Sequence, residues 1–321
     1  MRRSPSTPDQ PHRAPASGAP RSGAAGWEPS RRRFLAVGGT ALLGGLVGGL
    51  ATACGGGGDG GDADTATTVD TSGFVVVQRF PAGQSLAPGD VRLPVSLRTT
   101  AGALLTDGPE RLTGVLRDER GDTVATIDTP RRGTGLGVPY WSITATVPEP
   151  GLYDLQIDGA AGDPTPFFLY DPSEIAVPGA GALLPPFDTP TTADARGVDP
   201  VCTRLDAPCP FHDVTLTEAL ATGRPVVYLI GTPAHCSTAV CGPGLEFMIS
   251  VAQQYADRAT FVHAEVFSNP EGTDVAPAVT AYGLGYEPVI WIADDSGTIV
   301  RRIDVVWDET ELAELLADSL S

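Results

Sequence analysis

Cysteine is the residue type in this chain with the widest choice of chemistry, and there are five: Cys54, Cys202, Cys209, Cys236 and Cys241. The last two stand in His235-Cys236-Ser237-Thr238-Ala239-Val240-Cys241-Gly242-Pro243. Ahead of them runs Pro225–Gly231, a continuous apolar stretch of buried-strand length, and behind them Leu245, Met248, Ile249 and Ala252 recur at helical spacing. Residues five apart in a regular helix have Cα atoms about 8.7 Å apart. A disulfide does not span more than about 7 Å. Pairing therefore requires Cys236 in the loop after the strand and Cys241 near the first helical turn. Exposed N–H groups at that turn favour a thiolate. The pair reads as redox-active, Cys236 attacking and Cys241 resolving, with a purely structural disulfide as the alternative.

Cys202 and Cys209 lie in Cys202-Thr203-Arg204-Leu205-Asp206-Ala207-Pro208-Cys209-Pro210-Phe211-His212, a loop of turn residues ahead of the first core strand. A structural disulfide that pins this loop onto the domain is the expectation. The sharper alternative is a metal site, in which Cys202, Cys209 and His212 join His235, Cys236 and Cys241 around zinc or copper. His263 and Glu265 share one face of the strand read over Ala259–Phe267. His263 reads as a hydrogen-bonded core residue. Glu265, nearer the carboxyl end of its strand, is a candidate to move a proton for Cys241. No metal or other cofactor is expected.

Composition removes several functions at once. All 21 basic residues are Arg, so Schiff-base lysines and the P-loop signature are excluded. The formal net charge of −18 and the absence of a basic stripe after residue 33 argue against nucleic acid. An apolar content of 41% is enough to build cores.

The N-terminus reads as an address. Ser30-Arg31-Arg32-Arg33-Phe34-Leu35 matches a twin-arginine export signal, with Arg31 and Arg32 as its pair, and a Gly-rich apolar stretch runs from Phe34 to Ala53. Leu50-Ala51-Thr52-Ala53-Cys54 resembles a bacterial lipobox, which makes Cys54 the lipidated first residue of the mature protein. Residues 1–53 are thus expected to be a signal peptide, and residues 54–72 a lipidated Cys and flexible tether. Removing the first 53 residues leaves 37 acidic residues against 14 Arg, so only a lipid anchor would hold the chain at an anionic membrane.

Two further regions follow. Over residues 73–170, seven short β-rich runs broken by Gly and Pro predict an immunoglobulin-like β-sandwich. Residues 171–196 read as a Pro/Gly linker. Residues 197–321 alternate strand, helix, strand, helix, hairpin, helix, closing on the amphipathic run Glu309–Leu320.

That order, with a Cys pair after the first strand and Gly285-Tyr286-Glu287-Pro288 before the hairpin, resembles the thioredoxin superfamily over about 125 residues. The export signal and tether make it most similar to the membrane-anchored, extracytoplasmic TlpA/ResA type. The resemblance implies an α/β thioredoxin-like domain and a cis-proline at Pro288 facing Cys236 and Cys241. The family's motif is Cys-x-x-Cys, and the spacing here is two residues longer. The resulting expectation is a lipid-anchored protein at the extracytoplasmic face of the cell membrane, exchanging thiols and disulfides with exported proteins. The rivals are a non-enzymatic lipoprotein binding module with structural disulfides and a copper-binding or copper-delivery protein.

Overall fold

The structure is a computed structural model and describes residues 73–320. The export signal with Arg31 and Arg32, and the tether with Cys54, lie outside the described residues. Seven strands come first: β1 (Phe74–Gln78), β2 (Gly89–Thr99), β3 (Arg111–Asp118), β4 (Thr123–Arg132), β5 (Tyr140–Val147), β6 (Gly151–Ile157) and β7 (Thr165–Leu169). Alternation decides which face is buried: Val91, Leu93, Val95 and Leu97 of β2 turn inward against Leu112, Leu116, Trp141, Ile143 and Leu155.

These strands do not form the expected immunoglobulin-like sandwich. They make one antiparallel sheet in the order β1-β2-β5-β4-β3-β6-β7, curled into a nearly closed, barrel-like form. The cause lies in β4. Its residues from Thr123 to Pro130 pair with β3, while Arg131 and Arg132 pair with Trp141 and Tyr140 of β5, so one strand carries the hydrogen-bond ladder from one half to the other.

The C-terminal region holds α1 (Leu216–Ala221), β8 (Val226–Ile230), α2 (Cys241–Ala252), β9 (Thr260–Ala264), α3 (Pro277–Ala281), β10 (Val289–Ala293), β11 (Ile299–Asp304) and α4 (Glu309–Ser319). Its sheet runs β11-β10-β8-β9, with β8 and β9 parallel and the other pairs antiparallel. The thioredoxin-like α/β fold expected for residues 197–321 is likewise corrected. Over the described residues the chain is mostly β, 11 strands against four α-helices, and a helix-rich α/β fold is not evident. Two of the helices have only six and five residues. A capping box of Thr215 and Glu218 starts α1, and Gly223 and Gly283, both at positive φ, follow the ends of α1 and α3, where a left-handed residue stops a helix.

Every residue of β8 and β10 is buried, as expected for strands covered on both faces. On one face Val227, Leu229, Ile290 and Ile292 pack against Leu245 and Met248 of α2 and Leu312 and Leu316 of α4. On the other, Tyr228 and Trp291 stack and meet Tyr282 after α3. Between Ile175 and Thr215 the chain has neither helix nor strand.

A buried ionic network ties the seven-stranded sheet to this region. Arg92 of β2 pairs with Glu311 of α4 at 2.6 Å, and the Tyr140 hydroxyl donates to the same carboxylate at 2.6 Å while accepting the Asp308 N–H at 2.8 Å. Burial opposes the charge on Glu311, yet Arg92 holds its carboxyl below the ordinary value. The opposing burial cost on Arg92 is outweighed in the same way by Glu311.

Candidate functional site

Strand β8 ends at Ile230 and the chain runs through Gly231–Val240 before α2 begins at Cys241. Cys236 and Cys241 are joined by a disulfide, with Cα atoms 5.9 Å apart. The separation is achieved because Cys236 sits in the loop and Cys241 is the first residue of the helix. A turn closed by Ala239 N–H to the Cys236 carbonyl, with Ala239 at φ 55°, folds the loop back. Val240 supplies no side-chain cap to α2. Cys236 is partly exposed, whereas Cys241 is only 3% exposed. Val240, Cys241, Tyr140 and Val306 form a small apolar cluster, with Leu136 and Cys236 packed against it. One wall of the disulfide thus comes from the N-terminal sheet.

One carboxyl group stands beside the buried sulfur. Glu287 Oε2 lies 3.6 Å from Cys241 Sγ and accepts the Thr232 N–H at 3.1 Å. Burial pushes the Glu287 carboxyl up to about 7, the Thr232 N–H pulls the other way, and the charge of Glu265 adds to the rise. The Glu287–Pro288 peptide is cis and leads directly into β10. Pro288 packs at Gly231, where an added Cβ would meet the proline ring at 3.1 Å.

Glu265, the carboxylate expected near Cys241, is turned elsewhere. It is 1% exposed, and its Oε1 accepts both the N–H (2.5 Å) and the hydroxyl (2.8 Å) of Thr203, while its Oε2 has no hydrogen-bond partner. The carboxyl beside Cys241 is that of Glu287, which the sequence offered only as the neighbour of Pro288. Its register against β8 brings it there, since Val289 pairs with Ile230 and the two chain segments beyond that pair stay side by side.

Cys202 and Cys209 do not form the expected disulfide. Both are free and buried, and their sulfurs lie beside two imidazoles. Cys202 Sγ lies 3.8 Å and Cys209 Sγ 3.4 Å from His263 Nδ1, and His212 Nε2 lies 3.1 Å from that same nitrogen. The four ligand atoms all lie within 4.8 Å of one another. Hydrogen bonds from Cys209 and the two imidazoles draw the Cys202 thiol far down, and that same Cys209–Cys202 bond, with burial, pushes Cys209 far up. Burial lowers His263, but the Cys202 sulfur outweighs it and the net shift is upward.

The alternative metal set drawn from the sequence is also rearranged. His235 leaves it, packing edge-on to Phe267 and close to Gly272. Cys236 and Cys241 group instead with Glu287. His263, read as a core residue, joins Cys202, Cys209 and His212. Thr203 connects the two centres: its hydroxyl accepts the Ala234 N–H at 3.2 Å, two residues before Cys236, while Cys202 is its own chain neighbour. Among the described residues no helix is long and apolar enough to cross a membrane. No protein-family model matches this chain, and no curated protein sequence matches it.

Proposed function

We propose that this protein exchanges thiols and disulfides through Cys236 and Cys241. The observation that carries the reading is the asymmetry of the pair: a partly exposed Cys236 sulfur bonded to a buried Cys241 sulfur that has a carboxyl of raised pKa 3.6 Å away. In the oxidised state, an incoming thiolate attacks Cys236 Sγ. The Cys236–Cys241 bond breaks, its electron pair leaves on Cys241 Sγ, and the protonated Glu287 carboxyl neutralises that thiolate. A second substrate thiolate then attacks the substrate sulfur of the mixed disulfide and releases Cys236, so the substrate dithiol is oxidised and the protein pair reduced. Run in reverse, the Cys236 thiolate attacks a substrate disulfide, Glu287 accepts the Cys241 proton, and Cys241 resolves the mixed disulfide.

The substrates on this reading are thiols and disulfides of exported proteins. The Ser30–Leu35 and Leu50–Cys54 segments support export and lipid anchoring at the extracytoplasmic face of the cell membrane. The deciding experiment is a redox titration of the full chain with mass-spectrometric thiol counting, joined to trapping by Cys241→Ser. A reversible two-electron transition at Cys236–Cys241 and a mixed disulfide held on Cys236 are expected. A pair that stays oxidised across the whole range of glutathione and dithiothreitol buffers would overturn the proposal and leave a binding module stapled by this bridge.

A further inference from the structure

The geometry points to a zinc site formed by Cys202, Cys209, His212 and His263, separate from the exchanging disulfide. Zinc prefers four ligands in a tetrahedron, with Zn–S about 2.3 Å and Zn–N about 2.0–2.1 Å. Such a tetrahedron has edges of about 3.3 Å between two nitrogens and about 3.8 Å between two sulfurs, with mixed edges in between. The nitrogen–nitrogen edge here is 3.1 Å, the two sulfur–nitrogen edges that meet at His263 are 3.4 and 3.8 Å, and the remaining edges are within 4.8 Å. All four side chains are buried, so the set is closed and leaves no position for water or substrate, as a structural zinc requires.

Hydrogen-bond accounting supports a cation at the centre. His263 Nε2 lies 2.9 Å from the Gly231 carbonyl and His212 Nδ1 lies 3.4 Å from the Pro190 carbonyl. A carbonyl only accepts, so each of these nitrogens carries its ring hydrogen. With both rings neutral, the two nitrogens left over, 3.1 Å apart, face each other with lone pairs, an arrangement that a metal ion between them resolves without protonating either ring. Backbone carbonyls on the outer nitrogens are also the usual orienting partners of metal-bound imidazoles. The Cys209 N–H, directed at Cys202 Sγ at 3.4 Å, suits a sulfur carrying thiolate charge. Two thiolates and two neutral imidazoles balance Zn²⁺, so the ion is buried without net charge.

The site also has structural work to do. The chain from Ile175 to Thr215 has no helix or strand, a length at which loops in folded domains are uncommon. Three ligands come from its last part and the fourth from β9, so one ion fastens this segment to the C-terminal sheet. Bound zinc also withholds Cys202 and Cys209 from reaction with the disulfide that Thr203 and Ala234 connect to them.

The test uses the full chain carrying Cys54→Ser, loaded with zinc(II) alone or cobalt(II) alone. About one zinc per chain, retained through dialysis against a weak chelator, is expected. Cobalt loading should give the intense visible bands of a tetrahedral ion and the near-ultraviolet thiolate charge-transfer absorption of two sulfurs, and this readout needs no variant that has to fold. Cys236→Ser/Cys241→Ser should keep the metal, and Cys202→Ser/Cys209→Ser should lose at least about nine-tenths of it. Zinc lost from the Cys236/Cys241 variant, an octahedral cobalt spectrum, copper retained where zinc is not, or a second disulfide found in the protein purified without reductant would each overturn the inference.

Discussion

The two cysteine pairs have nearly the same spacing, five residues in one and seven in the other, yet their surroundings differ in kind. Cys236 and Cys241 occupy a strand-to-helix junction, one sulfur partly exposed, with a single carboxyl as neighbour. Cys202 and Cys209 lie in irregular chain, fully enclosed, with two imidazoles as neighbours. The contrast shows that separation along the chain does not decide whether two thiols bond to each other. Their neighbours differ instead: a carboxyl stands beside the bonded pair, and two imidazoles stand beside the free one.

The comparison breaks most sharply at Cys236. Cys236→Ser should abolish exchange with a model disulfide substrate, leaving only the uncatalysed rate, while its metal content stays at the wild-type level. Exchange that survived this change would move the active thiol elsewhere. The next largest effect is on stability: His263→Ala leaves Cys202, Cys209 and His212 buried without their fourth partner, and the melting temperature should fall by more than about 10 °C. Differential scanning calorimetry of the zinc-loaded protein checks this, and an unchanged transition would reduce the four residues to incidental neighbours.

Glu287→Gln sharpens the redox half. Opening of the disulfide should slow by about 10²-fold, the scale of one positioned proton donor. With the carboxyl at about 7, its help as an acid is full below that pH and fades above it. The rate of opening, normalised to the concentration of attacking thiolate, should therefore decline through a midpoint near pH 7 in the wild type and stay flat in the variant. Stability follows the same sign. A folded value of about 7 above the ordinary 4.5 means that the native state binds the extra proton between those limits, so its stability drops as pH rises through that window. In Glu287→Gln the drop should shrink. The smallest effect belongs to Thr203→Val, which removes the hydroxyl shared by Glu265 and the Ala234 N–H. A loss of about 1–3 kcal/mol by urea unfolding is expected, with less than a tenfold change in exchange rate.

Much of the local structure was legible from residue pattern alone. Val226–Ile230 and Val289–Ala293 were visible as unbroken apolar runs, and α2 and α4 as helical periods. The assembly of the strands was not. Pro130 lacks a ladder donor, yet β4 runs through it to Arg132 and joins the two halves of the sheet. The Thr215-x-x-Glu218 capping box is a local sequence signal for α1, a short helix ahead of the first core strand. In the candidate sites, the Cys236–Cys241 geometry followed from helix dimensions, whereas Glu287 and His263 arrived through sheet register, which no local pattern encodes.

The Arg92–Glu311 pair joins residues 219 positions apart. Heat cannot loosen α4 without uncovering a carboxylate held by the β2 guanidinium and the β5 phenol, and it cannot peel away the sheet without stranding that guanidinium. Breaking one side of a buried pair costs about 3–5 kcal/mol. The sheet is therefore thermodynamic ballast for the cysteine-bearing region, and the two are expected to melt in one cooperative transition.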